Sequence, residues 1–173
     1  MKFTVEKAAV GTLAVTMEGY AYGTDAVPAP AIDDYPGGGA LTYYYNTTEA
    51  NEGGTEWKDI AGDALAAGDY YMYAAIAETD NYLGYTTEAV KFTVEKAAVG
   101  TLAVTMEGYT YGTDAVPEPA IDDYPGGGAL TYYYNTTEAN EGGTEWKDIA
   151  GETLAAGDYY MYAAIAETEK YLA

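Results

Sequence analysis

The sequence contains no cysteine, no histidine and no arginine. The absence of cysteine excludes disulfides, thiolate nucleophiles and thiolate metal sites. Without histidine and arginine, acid–base catalysis would depend on carboxylates, tyrosine or lysine. Long apolar runs are also missing, because no run approaches the roughly 18 residues that a membrane-spanning helix needs, and we expect no membrane insertion.

Positive charge is scarce. The chain has seven lysines and 28 acidic residues, which gives a formal net charge of −21. Such a surface repels nucleic acid and the anionic leaflet of a membrane, so neither is predicted as a partner. The charge favours solubility and mutual repulsion between neighbouring molecules. The hydrophobic content of 49% is typical of a globular protein and argues against disorder.

The chain consists of two nearly identical copies. Residues 2–84 return, shifted by 89 positions, as residues 91–173, and seven of the 83 paired positions differ. A period of 89 exceeds that of solenoid repeats and matches a small independent domain. Two such copies indicate a part used for length or copy number rather than one specialised cleft, so we predict that the chain is not an enzyme. The differing pairs are Ala21/Thr110, Ala29/Glu118, Asp63/Glu152, Ala64/Thr153, Asp80/Glu169, Asn81/Lys170 and Gly84/Ala173.

Strand and turn signals dominate each copy. Clusters of Gly, Pro, Asn and Asp at residues 33–39 and 51–54 separate short runs of alternating polarity. The strongest predicted strand covers residues 69–79, and another strand is predicted from residue 85 through residue 96. Residues 2–6 alternate in the same way, with Phe3 and Val5 on one face. Six or seven strands per copy predict an all-β fold, an antiparallel β-sandwich.

Several short motifs, in this order and spacing, resemble the bacterial immunoglobulin-like repeats of large Gram-positive-type surface proteins. They are Tyr-Ala-Tyr-Gly at 20–23, Val-Pro-Ala-Pro at 27–30, Leu-Thr-Tyr-Tyr-Tyr at 41–45, Ala-Gly-Asp-Tyr-Tyr at 67–71, Ala-Glu-Thr-Asp-Asn-Tyr at 77–82 and Lys-Phe-Thr-Val-Glu-Lys-Ala at 91–97. The resemblance covers essentially the whole chain, twice. It implies two tandem immunoglobulin-like domains of adhesin or stalk type, an extracellular or cell-wall location, and no catalytic residues.

The family pattern makes residues 91–97 the closing strand of the preceding domain. On that phasing the first domain covers residues 8–97, and the second covers residues 98–173 and lacks its closing strand. Residues 1–7 are then a spare copy of that strand. The alternative phasing makes residues 2–7 and 91–96 opening strands. The first phasing raises the hypothesis of head-to-tail self-association, in which residues 2–7 of one molecule fill the strand edge of the second domain in another.

Tyrosines supply one candidate binding surface. Tyr44, Tyr71 and Tyr73 have the strand phase opposite to the predicted core, and their copies are Tyr133, Tyr160 and Tyr162. An outward aromatic face could stack on sugar rings or contact another protein. The alternative is cross-strand tyrosine pairing that stabilises the sheet.

Aspartates supply a candidate metal site. Asp33, Asp34, Asp122 and Asp123 lie beside glycine-rich turns, where oxygen ligands could converge on calcium. The alternative is that aspartate favours turns through local bonds to the backbone. An isopeptide crosslink from Lys2, Lys7, Lys91 or Lys96 to an asparagine or aspartate is a further hypothesis, and it requires a buried amine.

The sequence therefore predicts a structural spacer of a bacterial cell-surface or secreted protein, whose partners are neighbouring copies of the same repeat. An adhesin module that binds carbohydrate or protein through the outward tyrosines is the alternative. A second alternative is a synthetic or consensus repeat that self-assembles by strand donation.

Overall fold

A computed structural model describes residues 1–122 and 124–173. Every regular element in these residues is a β-strand, and most strands pair antiparallel, so the predicted all-β class is confirmed. No helix in the described part of the chain is suited to crossing a membrane. The chain divides into two compact units, Met1–Lys96 (unit 1) and Ala97–Ala173 (unit 2).

Unit 1 contains eight strands in two sheets. In the larger sheet, β8 lies between β2 and β6, β4 and β5 follow on the other side of β6, and β7 also pairs with β6. β1 and β3 form a separate antiparallel pair. The strands are β1 (Val15–Thr16), β2 (Tyr20–Ala21), β3 (Ala31–Ile32), β4 (Leu41–Asn46), β5 (Thr55–Glu56), β6 (Gly68–Ile76), β7 (Tyr85–Thr86) and β8 (Val90–Glu95).

The core of unit 1 lies on one face of the larger sheet. β6, the longest strand, buries Met72, Ala74 and Ile76 at every second position, as the alternation predicts. Val15 from the β1–β3 pair packs into the same core, which places the small sheet over the large one. The buried cluster comprises Val15, Tyr20, Leu65, Met72, Ala74, Phe92 and Val94.

A β-bulge interrupts the strand that was predicted to run unbroken from residue 85 to residue 96. Between the pairs Ala75↔Thr86 and Met72↔Val90, β6 has two residues and the opposite segment has three. Thr87 maintains the ladder there. Its N–H donates to the Ala74 carbonyl at 2.9 Å, and its Oγ1 accepts from the Ala74 N–H at 3.0 Å. Thr87 is fully buried, so its hydroxyl takes the place of a backbone acceptor.

Unit 2 repeats part of this architecture. β11 pairs with β13 from Leu130↔Ile165 to Asn135↔Tyr160, the same register that β4 and β6 adopt in unit 1. The strands are β9 (Val104–Thr105), β10 (Ala120–Ile121), β11 (Leu130–Asn135), β12 (Thr144–Glu145) and β13 (Tyr160–Ile165). β13 begins three residues later in the repeat than β6, and the counterparts of β2, Tyr109 and Thr110, pair with no strand among the described residues.

Residues 2–7 form no strand in the structure, although all of them are described. The prediction of a strand there is therefore wrong for this chain. The side chains of Phe3 and Val5 are 82% and 83% exposed. The physical reason is that β8, which carries the same sequence as residues 2–6, already occupies the edge of β6 in unit 1. An alternating segment without a partner strand has no ladder to join.

We expect Thr87→Val to destabilise unit 1 by about 1–3 kcal/mol, because the substitution keeps the shape but leaves the buried Ala74 N–H without an acceptor. Urea unfolding followed by Trp57 fluorescence, in a Trp146→Phe background, reports on unit 1 alone. Thr86→Val, at the exposed neighbouring position on β7, is the control and should change the free energy of unfolding little. Equal effects of the two substitutions would contradict the role given to the Thr87 hydroxyl.

Candidate functional site

The candidate site lies along the edge of β6 that pairs with β8 in unit 1. β8 runs antiparallel to β6 from Gly68↔Val94 to Met72↔Val90. It runs parallel to β2, with the pairs Tyr20↔Val94 and Ala21↔Glu95. The Tyr22 N–H continues this ladder and donates to the Glu95 carbonyl at 2.8 Å. β8 thus satisfies backbone groups on both neighbouring strands and holds them in one sheet.

Phe92 is the central side chain of this edge. Its ring stacks on Tyr70, with centroids 5.6 Å apart, and meets the edge of Trp57 at 5.7 Å and 89°. Tyr45 contacts both Trp57 and Tyr70, at 5.8 and 6.2 Å. These four rings form an aromatic box. Phe92 is 3% exposed within it, and Val94, two residues on, is fully buried beside Tyr20. Large aromatic side chains in such contact dominate the energetics of a core.

Gly19 allows β8 to approach closely. A Cβ at this position would lie 2.6 Å from the Thr93 carbonyl oxygen, a distance that real Cβ atoms do not reach. Only glycine therefore permits the backbone of β8 to pass at this point without displacement.

An ion pair connects β8 with β6 on the solvent-exposed side of the same edge. The Asp69 carboxylate accepts a hydrogen bond from Thr93 Oγ1 at 2.9 Å and lies 2.9 Å from Lys91 Nζ. Hydrogen bonds from Lys91 and then Thr93 lower the pKa of Asp69, and the bond to Asp69 raises the pKa of Lys91. Both groups face water, so the pair adds geometry and specificity to the edge more than free energy.

Tyr20 carries an unusual polar group beneath β8. Its hydroxyl is buried and has no hydrogen-bond partner among the described residues, and the same is true of its copy Tyr109. Burial raises the pKa of both phenols, followed by the effect of neighbouring tyrosines. A buried hydroxyl without a partner costs free energy, so burial of the ring by Val94 must offset that cost in unit 1.

The corresponding edge of unit 2 is open, because no strand of the described residues pairs with that side of β13. A groove of about 580 Å³ lies where β8 lies in unit 1. It is lined by the counterparts of the residues that contact β8 in unit 1, among them Gly108, Tyr109, Trp146, Tyr159 and Met161. Of these, Tyr109 and Met161 are half-buried, whereas Tyr20 and Met72, their counterparts, are buried.

The aromatic box of unit 2 is formed except for its central ring. Tyr134 meets Trp146 at 6.0 Å and 89°, and meets Tyr159 at 6.0 Å and 73°. These values match the Tyr45–Trp57 and Tyr45–Tyr70 pairs of unit 1. A Cβ at Gly108 would have no described atom within 4 Å, in contrast to Gly19. The ring pairs of the box therefore have the same geometry in both units, and the close contact made at Gly19 has no counterpart at Gly108.

The candidate binding tyrosines form stacked pairs. Tyr44 lies opposite Tyr73, with centroids 5.3 Å apart and rings 16° from parallel, and Tyr133 stacks on Tyr162 at 5.2 Å and 15°. The expectation that Tyr73 points outward as part of an exposed face is wrong, since Tyr73 is 5% exposed. The Gly54 N–H donates to its hydroxyl at 3.0 Å, and a Cβ on Gly54 would lie 2.9 Å from its ring. One face of each stacked ring is occupied by its partner, as in the pairing alternative.

Two candidate tyrosines lie outside these stacks. Tyr71 is half-buried on β6, opposite Asn46 and Lys91. Its copy Tyr160 is 44% exposed at the open edge of unit 2. Binding of sugar or protein by these rings stays a prediction.

The candidate calcium residues are spread along exposed loops. Asp33, Asp34 and Asp122 are exposed beside the turns that precede β4 and β11, and Asp123 lies outside the described residues. Within residues 1–122 and 124–173, no three acidic side chains come together as a metal-ligating group. Calcium binding stays a prediction.

The lysines considered for an isopeptide crosslink are partly exposed where the structure pairs them. Lys7 lies 2.6 Å from Glu78 with 36% of its side chain exposed, and Lys91 pairs with Asp69 with 53% exposed. These contacts are ordinary ion pairs, whereas the crosslink needs a desolvated amine.

Local sequence patterns do not predict the aromatic box. They also do not predict the close contacts of Gly19 with Thr93 and of Gly54 with Tyr73. Strand phase singles out Tyr44 and Tyr73, whereas the box brings together Tyr45, Trp57, Tyr70 and Phe92 from three separate strands and a loop. The sequence contains one signal for the box. Trp57 and Tyr70 have copies in unit 2, Trp146 and Tyr159, whereas the only copy of Phe92 is Phe3, which lies in unit 1.

Comparisons with family models, with curated proteins and with solved structures find no match to this chain.

We expect NMR titration to place the pKa of Asp69 below its ordinary value and to return it toward that value in Lys91→Gln. Because the folded pKa is lowered, the pair stabilises unit 1 above the unfolded pKa of about 3.9, and this contribution is lost as the pH falls through the folded pKa. Lys2→Gln, in the exposed copy of the strand, is the control and should leave Asp69 unchanged. An Asp69 pKa that is insensitive to Lys91→Gln would contradict the assignment.

Proposed function

We propose that the chain is a non-catalytic spacer from a bacterial cell-surface or secreted protein, built of tandem immunoglobulin-like β-sandwich units. The observation that carries the proposal is the parallel pairing of β2 with β8 in unit 1. β2 is the first strand of the larger sheet in chain order and β8 is its last, so the pair joins the N-terminal and C-terminal strands of that sheet.

Parallel pairing decides how the hydrogen bonds would be loaded. Tension pulls β2 toward its N-terminal end and β8 toward its C-terminal end, and in a parallel pair these directions are opposite along one axis. The bonds are then loaded together in shear rather than one after another. The close passage of β8 at Gly19 and the burial of Val94 add side-chain packing that must break in the same step.

In each unit, an early alanine also forms two backbone hydrogen bonds with a segment late in the same unit. In unit 1 the Ala8 N–H donates to the Asn81 carbonyl at 2.8 Å, and the Ala8 carbonyl accepts from Leu83 at 2.9 Å. In unit 2, Ala97 makes the same two bonds with Lys170 and Leu172, each at 2.9 Å. Only Lys96 separates the end of β8 from Ala97, so the connection between these two hydrogen-bonded positions is one residue long.

The charge supports the same role. A net charge of −21 on 173 residues makes neighbouring copies of such a stalk repel one another at distances up to the Debye length, about 8 Å at physiological salt. The repulsion keeps molecules apart and in solution, which suits a part whose work is to occupy space.

We expect force spectroscopy on single molecules, pulled between Met1 and Ala173, to give two unfolding events. Unit 2 should unfold first, at lower force, because Tyr109 and Thr110 pair with no described strand. Unit 1 should unfold at higher force and release roughly 30 nm, at about 3.3–3.6 Å per extended residue. Unfolding of both units at the same force would contradict a load-bearing role for the β2–β8 pair.

Two matched glycines provide the control for this measurement. Gly19→Ala should lower the unfolding force of unit 1, because the added Cβ meets the Thr93 carbonyl oxygen. Gly108→Ala makes the same change in unit 2, where no described atom lies within 4 Å, and should leave both forces unchanged.

A further inference from the structure

We propose that the open edge of unit 2 binds residues 2–6 of a second copy of this chain as an added strand, so that molecules join head to tail. This interaction surface goes beyond the spacer role and does not depend on it. The donor segment has the sequence of β8 from Lys91 to Glu95, and the acceptor groove has the residues that hold β8 in unit 1.

The register follows from unit 1. The pairs Gly68↔Val94, Tyr70↔Phe92 and Tyr71↔Lys91 become Gly157↔Val5, Tyr159↔Phe3 and Tyr160↔Lys2. On the other side, the parallel pair Tyr20↔Val94 becomes Tyr109↔Val5. The backbone of Gly157–Tyr159, which joins no strand in the described part of unit 2, would gain the ladder that Gly68–Tyr70 have.

The side chains of the donor match the groove. Phe3 would enter the aromatic box between Trp146 and Tyr159, as Phe92 lies between Trp57 and Tyr70. Val5 would cover Tyr109. Phe3 and Val5 are more than four-fifths exposed in the free chain, so the contact removes apolar surface from water on both partners.

The polar contacts match as well. Lys2 and Thr4 would reach Asp158 as Lys91 and Thr93 reach Asp69. Among the seven positions at which the copies differ, only Ala21/Thr110 lies on this edge, and Ala21 is exposed. The acceptor residues are otherwise those already seen with this strand bound.

The length of the junction is also sufficient. Ala8 stays fastened to unit 1 of the donor molecule, and Lys7 alone separates it from Glu6. Within one chain, Lys96 alone separates Glu95 of β8 from Ala97, which is fastened to unit 2. One residue thus suffices to connect a strand in one unit with the first fastened residue of the next.

The donated strand fills only part of the site. The donor segment, residues 2–6, does not include counterparts of β7 and Thr87, which precede β8 in unit 1. A second groove of about 490 Å³ lies beside Asn140 and Ala163. In unit 1 the equivalent Asn51 and Ala74 bind Thr87. A peptide with the sequence of residues 85–96 should therefore bind unit 2 more tightly than one with the sequence of residues 1–7.

Sedimentation of the whole chain over a range of concentrations, at about 0.15 M and 1 M salt, tests the proposal. We expect the mass to rise with concentration, and more strongly at high salt because screening weakens repulsion between acidic molecules. A heterologous contact of this kind yields open chains or closed rings. A strict monomer under all conditions would overturn the proposal, as would insertion of residues 2–6 into unit 2 of the same molecule, seen as quenched or shifted Trp146 fluorescence without a rise in mass.

Two substitutions that leave the free chain undisturbed sharpen the test. Gly108→Ala should weaken association about tenfold or more, because its Cβ would meet the Thr4 carbonyl oxygen as a Cβ on Gly19 would meet that of Thr93. Phe3→Ala, at an exposed position, should weaken it at least about a hundredfold. Association that survives both substitutions would overturn the proposed register.

Peptides separate the groove from its occupant. A peptide of residues 1–7 should inhibit association and change Trp146 fluorescence in a Trp57→Phe background, and the same peptide with Phe3→Ala should do neither. Binding of the 85–96 peptide together with a monomeric whole chain would mean that the groove accepts strands but that residues 2–6 are not its partner, which overturns the proposal. None of these outcomes bears on the unfolding force of unit 1.

Discussion

The pairing along one edge of β6 in unit 1, and along the same edge of its counterpart β13 in unit 2, governs the structure of each unit. β6 is the central strand of unit 1, and its hydrogen-bonding groups on one side are satisfied in succession by β7, Thr87 and β8. Unpaired backbone groups in a sheet are costly when buried and must otherwise face water. Where the partner is present, β6 runs from Gly68 to Ile76; where it is absent, β13 begins only at Tyr160.

The effect reaches the core through side chains that are identical in the two units. Val15, Leu65 and Met72 are buried in unit 1, and their counterparts Val104, Leu154 and Met161 are half-buried in unit 2. Phe92 and Val94 cover these residues from β8, so the difference follows from the strand rather than from any substitution. The two units thus allow an internal comparison of the same side chains with and without a strand paired at this edge.

The sequence predicted the parts of this fold that depend on local alternation. The strand on residues 69–79 appears as β6, and Met72, Ala74 and Ile76 take the buried phase. What local alternation could not reveal was long-range competition. Residues 2–6 and Lys91–Glu95 have one sequence, yet only the second copy forms a strand, because one edge admits one partner. Likewise Tyr73 has an outward phase, and the loop at Gly54 covers it.

The candidate site was harder to predict for the same reason. Tyr45, Trp57, Tyr70 and Phe92 are up to 47 positions apart in the sequence and meet only through the order of strands in the sheet. The role of Gly19 depends on a single carbonyl oxygen of β8, which no local pattern encodes. The comparison of the two copies in the sequence is enough to suggest strand donation, and the groove of unit 2 and the pairing of β8 in unit 1 make the proposal specific.

Competition between the two copies of the strand also explains why donation would be directed to unit 2. β8 is part of the same chain as the rest of unit 1. Because it is tethered, its effective concentration at this edge is in the millimolar range expected for short connections. Residues 2–6 of another molecule, at a far lower concentration and repelled by the acidic surface, cannot displace it. In unit 2 no described strand occupies this edge, so under the proposal a donated segment would meet no tethered competitor there. Near-identical neighbouring repeats usually carry a risk of strand exchange during folding. Under the proposed donation, a filled edge in unit 1 and an open edge in unit 2 would give such an exchange a direction.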